Sequence, residues 1–165
     1  MAEKRDWSFL QLIALGVVLE VIFKQFPVLN AVQPILPIAI VAGILYGTER
    51  GFAVGLFSAL VAGVLLYSAS YFGAGIFFVE VIACALAGAI GGMVAKSRKP
   101  SKTEFVGLCV IAAIAFEALN NFFQGTQFAR LSGFYYLEGT MLASALHIVF
   151  AVVLAMLLAG LLENK

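Results

Sequence analysis

The sequence predicts an all-α, polytopic membrane protein: a bundle of six transmembrane helices whose second member is short and led by proline. Three observations carry that expectation. Hydrophobic residues make up 63% of the 165-residue chain and charged residues 12%, with a mean hydropathy of +1.06, which excludes an ordinary soluble domain. Most of the apolar stretches are long enough to cross a hydrocarbon layer roughly 30 Å thick. The lysines and arginines gather in alternate connections. A single integral-membrane domain is expected over residues 1–165, with helices at about 8–26, 34–47, 51–70, 76–95, 103–124 and 138–162 and no appended soluble domain.

The first helix, Ser8 to Phe26, follows Trp7, a residue suited to the membrane interface. The few residues before it are mixed in charge, and the apolar run lacks a small-residue cleavage site, so it is expected to be retained rather than removed as a signal peptide. Glu20 and Lys24 lie one turn apart near its far end, where they can pair and where the lysine can reach water. Pro34-Ile-Leu-Pro37 opens the second segment, whose apolar run to Gly47 is about 14 residues, short for a crossing. Its prolines also remove backbone donors, so it should pack among the other helices, away from lipid.

A turn is expected at Gly47-Thr-Glu-Arg-Gly51. The third helix then carries Gly51, Gly55, Ala59 and Gly63 on one row, which lets another helix approach closely. Tyr67, Tyr71 and the aromatic loop Phe72-Gly-Ala-Gly-Ile-Phe-Phe78 lead to the fourth helix, which repeats the device with Ala83, Ala87, Gly91 and Ala95 beside Cys84, Gly88 and Gly92; Glu80 is its ionisable member. The basic loop Lys96-Ser-Arg-Lys-Pro-Ser-Lys102 precedes the fifth helix, which ends in Phe116-Glu-Ala-Leu-Asn-Asn-Phe-Phe-Gln124. Gly125 to Leu137 is expected to be the longest connection. The sixth helix places Thr140, Ser144 and His147 on one face, continuing into Ala151, Ala155 and Ala159.

Six crossings put Lys4, Arg5, Arg50, Lys96, Arg98, Lys99, Lys102 and Lys165 on one side; of the 10 lysines and arginines only Lys24 and Arg130 lie opposite. By the positive-inside bias both termini are expected in the cytoplasm, with the protein in the plasma membrane. Glu20, Glu80, Glu117, Asn120, Asn121, Gln124, Glu138 and Thr140 then fall in the outer half and His147 near the middle. The inner half is Ala, Gly, Leu and Val. That pattern is a chamber open outward above a dry floor, whereas a channel needs polar lining throughout.

Glu117, Asn120, Asn121 and Gln124 share about one third of the helix circumference at roughly 100° per residue. An acidic group at the centre of a spanning helix costs on the order of 2.5–3.5 kcal/mol, less toward the interface. One reading is interhelical glue, each such hydrogen bond stabilising by about 0.6 kcal/mol. The convergence of a carboxyl and three amides favours a ligand cavity. The candidate binding set is Glu80, Glu117, Asn120, Asn121, Gln124 and His147, covered by Tyr71, Phe72, Tyr135 or Tyr136. A lone His147 on a helix is more often an interhelical hydrogen-bonder than a ligand contact, and Glu138 is equally readable as a carboxylate complementing a helix N-terminus. These groups suit a small organic ligand with a flat ring, cationic or neutral rather than anionic.

No His-Glu-x-x-His, Gly-x-Ser-x-Gly or Walker-type phosphate loop occurs in the sequence, and no Cys stands beside the one His. The chain is therefore not expected to be an enzyme, to carry a metal or cofactor, or to hydrolyse ATP itself. Cys84 and Cys109 read as small buried hydrophobes. No basic tract suits nucleic acid.

The short proline-led segment followed by Ile40-Val-Ala-Gly43-Ile-Leu-Tyr-Gly47-Thr-Glu-Arg-Gly51-Phe-Ala-Val-Gly55, within a compact six-helix chain, resembles the substrate-binding S components of energy-coupling-factor (ECF) vitamin transporters. The resemblance implies a high-affinity binder of a vitamin or similar micronutrient, with an outward pocket closed by loops. It also implies a transmembrane T subunit and two cytoplasmic ATPases as partners, with the binder toppling in the membrane to release its load. In that family the first helix carries alanines four apart for docking; here Ala14 and Gly16 stand two apart. A rod-shape scaffold similar to MreD, or a cation-coupled carrier using Glu117, are the alternative readings. A scaffold has no need for the polar groups to converge.

Overall fold

The computed structural model describes residues 3–26, 32–67, 74–98, 100–128 and 133–163, with side chains described over 9–26, 32–66, 77–98, 100–120, 144–160 and 162. Its elements are helices: α1 Glu3–Lys24, α2 Ile35–Tyr46, α3 Thr48–Tyr67, α4 Ala74–Ser97, α5 Lys102–Phe128 and α6 Gly133–Glu163. No strand occurs among the described residues. Thr48–Leu66, Phe77–Ser97 and Lys102–Asn120 are long and apolar enough to cross a membrane, while Ile35–Tyr46 and Ser144–Gly160 are shorter apolar segments.

The short helix α2 is the axis of the molecule. It touches each of the other five, while α1 packs on α3, α3 on α4, α4 on α5 and α5 on α6. Five helices thus form an arc around α2, with α1 and α6 at its two ends. Among the described residues the backbones of those two do not meet, and Phe23 and Phe150 reach across edge to face with centroids 6.4 Å apart. Every residue of α2 from Ile35 to Gly43 is buried, as its proline-led brevity leads one to expect. The outward-facing large hydrophobics among the described residues, such as Val18, Val64, Ile82, Ile111 and Met156, come from the surrounding helices, apart from Phe26 just beyond α1.

Local chemistry explains how so short a helix starts and stops. Pro34 occupies the N-cap and Pro37 lies in the first turn, where backbone N–H groups have no intrahelical acceptor and the loss of one is harmless. At the other end Gly47 takes φ +95° and donates its N–H to the Gly43 carbonyl at 2.8 Å. That left-handed conformation strains any residue with a Cβ. The turn expected over Gly47 to Gly51 is therefore Gly47 alone, and Gly51 already donates back to its carbonyl at 2.9 Å.

The small-residue rows of α3 and α4 are spent inside the bundle. A Cβ on Gly55 would collide with the carbonyl of Cys84, one on Gly88 with that of Gly51, and one on Gly43 would lie 2.6 Å from the Gly92 nitrogen. Backbone thus meets backbone where α2, α3 and α4 join. In α6 the row Ala151, Ala155 and Ala159 is likewise buried. On α1, Gly16 turns inward: a methyl group there would stand 2.9 Å from Ser58 Oγ, and Ser58 donates to the Ile13 carbonyl at 3.3 Å. Ala14 is exposed.

Several helices run further than expected: α1 begins at Glu3, α3 at Thr48, and α4 spans Ala74–Ser97. α5 continues through Phe128 and α6 begins at Gly133, so most of the stretch read as the longest connection, Gly125 to Leu137, is helical. α5 itself opens with a reciprocal cap: Glu104 N–H donates to Ser101 Oγ at 3.3 Å, and Ser101 N–H donates to Glu104 Oε2 at 2.8 Å. Arg98 Nη1 donates to the same carboxylate at 2.9 Å, tying the basic loop to the helix start.

Candidate functional site

Burial and polarity separate the two ends of the bundle. Among the described residues the buried polar side chains are Glu20, Gln33, Ser58 and His147. The end formed by the start of α5 and the close of α6 is packed with Phe105, Cys109, Ala155, Leu158 and Leu162. The opposite end holds the buried and half-buried ionisable groups Glu20, Glu80, Glu117 and His147, in two clusters.

The first joins α5 to α6. Glu117 projects from α5, and one turn of α6 presents Ser144 and His147 at the i, i+3 spacing that puts both on one face. Ser144 Oγ donates to Glu117 Oε2 at 2.7 Å, and His147 Nδ1 lies 2.6 Å from Glu117 Oε1. The imidazole is fully buried and the carboxylate side chain 12% exposed. Phe116 meets the imidazole edge to face, centroids 5.5 Å apart at 85°. With Glu117 ionised its carboxylate only accepts, which assigns the hydrogen of that bond to Nδ1. Nε2 of the same ring is buried and has no hydrogen-bond partner among the described residues. Leaving a buried polar atom unsatisfied costs about 1–3 kcal/mol. Thr48 Oγ1, the other such atom, sits at the start of α3, where α3 closes on Gly92 of α4.

The second cluster joins α1 to the start of α2. Glu20 is 4% exposed and pairs with Lys24 Nζ at 3.4 Å. With its amide nitrogen turned toward that carboxylate, Gln33 donates to both oxygens of Glu20, at 2.9 and 2.7 Å. Glu80, half-buried on α4, lies within electrostatic range of Glu20 and Cys84. The charge of Lys24 reaches Glu117 as well, so the lysine stands between the clusters.

Of the expected site residues, Glu117 and His147 are in direct contact. Asn120 is half-buried one turn further along α5, and Glu80 lies toward α1. Asn121 and Gln124 have helical backbone in α5, and Tyr135 and Tyr136 in α6, but their side chains are outside the described residues. Tyr71 and Phe72 lie wholly outside them. Sequence reasoning did not name Ser144 or Gln33 for the site. For Ser144 the signal was present, three residues before His147 on the same face; for Gln33, preceding Pro34 in a connection, nothing local pointed to Glu20.

The first cluster presents a held imidazole with one nitrogen anchored and the other without a partner among the described residues. Among the described residues no group of three or more His, Cys, Asp and Glu is placed to hold a metal ion. Comparison with family models, with curated proteins and with solved structures gives no match.

Proposed function

We propose that this chain is a membrane-embedded capture subunit for the uptake of a vitamin or similar small micronutrient, crossing the plasma membrane six times with both termini in the cytoplasm. In this reading it works beside a transmembrane T subunit and two cytoplasmic ATPases, as the likeness to ECF S components implies. The observation that carries it is the interlocked Glu117, Ser144 and His147, whose imidazole keeps a buried nitrogen with no hydrogen-bond partner among the described residues. Ionisable groups inside a membrane bundle mark substrate or ion paths more often than they serve as fasteners. Glue between α5 and α6 needs only the Nδ1 contact. The apolar packing of the opposite end supports capture from one side over an open pore.

Native mass spectrometry of the protein purified from its own membranes tests this reading. The expected result is a folded chain carrying one small organic molecule, lost when Glu117 and Asn121 are both replaced by leucine while expression is retained. A folded wild-type chain that carries nothing, or a double variant that keeps its load, overturns it.

A further inference from the structure

Nε2 of His147 is a buried polar atom with no partner among the described residues, at the heart of the polar end. Its ring is held from the other side: Nδ1 is 2.6 Å from Glu117 Oε1, and Ser144 Oγ, 2.7 Å from Oε2, keeps that carboxylate from turning away. The carboxylate has no hydrogen to give, so the tautomer is fixed with hydrogen on Nδ1. A hydrogen on Nε2 as well would bury a charged donor with nothing among the described residues to receive it, which is costlier than burying a lone pair. Nε2 is therefore an acceptor.

We propose, building on the capture reading, that Nε2 of His147 is the atom that recognises the captured molecule, accepting a hydrogen bond from an N–H or O–H group of a neutral or cationic small organic solute. Glu117 and Ser144 are positioning residues: both carboxylate oxygens are occupied within the protein, so they act on the solute through the imidazole. The edge of Phe116 closes one side of the ring. Anionic solutes are disfavoured by the Glu117 carboxylate beside the imidazole, with Glu20 and Glu80 at the same end and Lys24 as the cation near them.

The chain has a single histidine, so labelling with 15N-histidine gives one ring to observe in the intact protein in lipid bilayers. The expected spectrum shows a protonated Nδ1 and an unprotonated Nε2. Glu117→Leu should lose that fixed tautomer, whereas Ser144→Ala, which leaves the Nδ1 contact in place, should keep it. The Nε2 resonance should also differ between the protein carrying its co-purified molecule and the same protein freed of it, while Nδ1, 2.6 Å from Glu117, should change little.

A protonated Nε2, or an Nε2 resonance that is the same with and without the co-purified molecule, overturns the assignment. If the native protein still carries a small molecule in either case, capture stands and another group makes the contact. If His147 behaves as expected but no molecule is carried, the capture reading fails and this assignment falls with it.

Discussion

At the scale of single residues, glycine and histidine show how little latitude the packing leaves. Gly55→Ala and Gly88→Ala each place a methyl against a backbone carbonyl of the facing helix. Helices must part to admit it, and overpacking of this kind costs about 1–3 kcal/mol. Thermal unfolding in detergent should show both variants clearly destabilised. Gly107→Ala is the matched control: nothing lies within 4 Å of the place its Cβ would take, and the substitution should be neutral or slightly stabilising, since glycine weakens a helix interior by up to about 1 kcal/mol relative to alanine. Gly47→Ala meets no neighbour either, yet its φ of +95° penalises any Cβ. It should destabilise by about 1 kcal/mol or more through the backbone alone.

At the scale of elements, α1 is held to the start of α2 by the group of Glu20, Lys24 and Gln33. Lys24→Met removes the cation while leaving a carboxylate that is 4% exposed, and breaking a buried pair from one side costs about 3–5 kcal/mol. Pairing it with Glu20→Met should recover much of the loss, a double-mutant comparison that thermal unfolding can make. The elements themselves were largely legible in the sequence. The short α2 followed from its prolines and its brief apolar run, and the inward rows of α3 and α4 from their spacing. The joined ends of α5 and α6 were not legible: Gly125, Thr126 and Gln127 have the composition of a loop, yet α5 runs through them, and local propensity is a weak prior that tertiary contact overrides. The contact of Glu117 with His147 was foreshadowed by two separate helical faces, but which faces meet depends on how α5 and α6 lie together, and spacing within one helix does not encode that.

At the scale of the whole molecule, the proposed orientation makes a prediction about access. Cys84 and Cys109 are buried and should react slowly with an impermeant maleimide in the folded protein. A cysteine introduced at residue 2 or 164 should be labelled only when the cytoplasmic face is exposed. Labelling of either position from outside would reverse the topology. The central place of α2 also bears on how the protein is made. At 1.5 Å per residue its 12 residues reach about 18 Å, well short of the hydrocarbon thickness of roughly 30 Å. A nascent chain halted just after Gly47 therefore offers the translocon a segment that cannot settle across the bilayer unaided. In the proposed six-crossing arrangement α2 would wait at the insertion machinery until its later neighbours emerge from the ribosome and enclose it, which would make the order of synthesis part of the architecture.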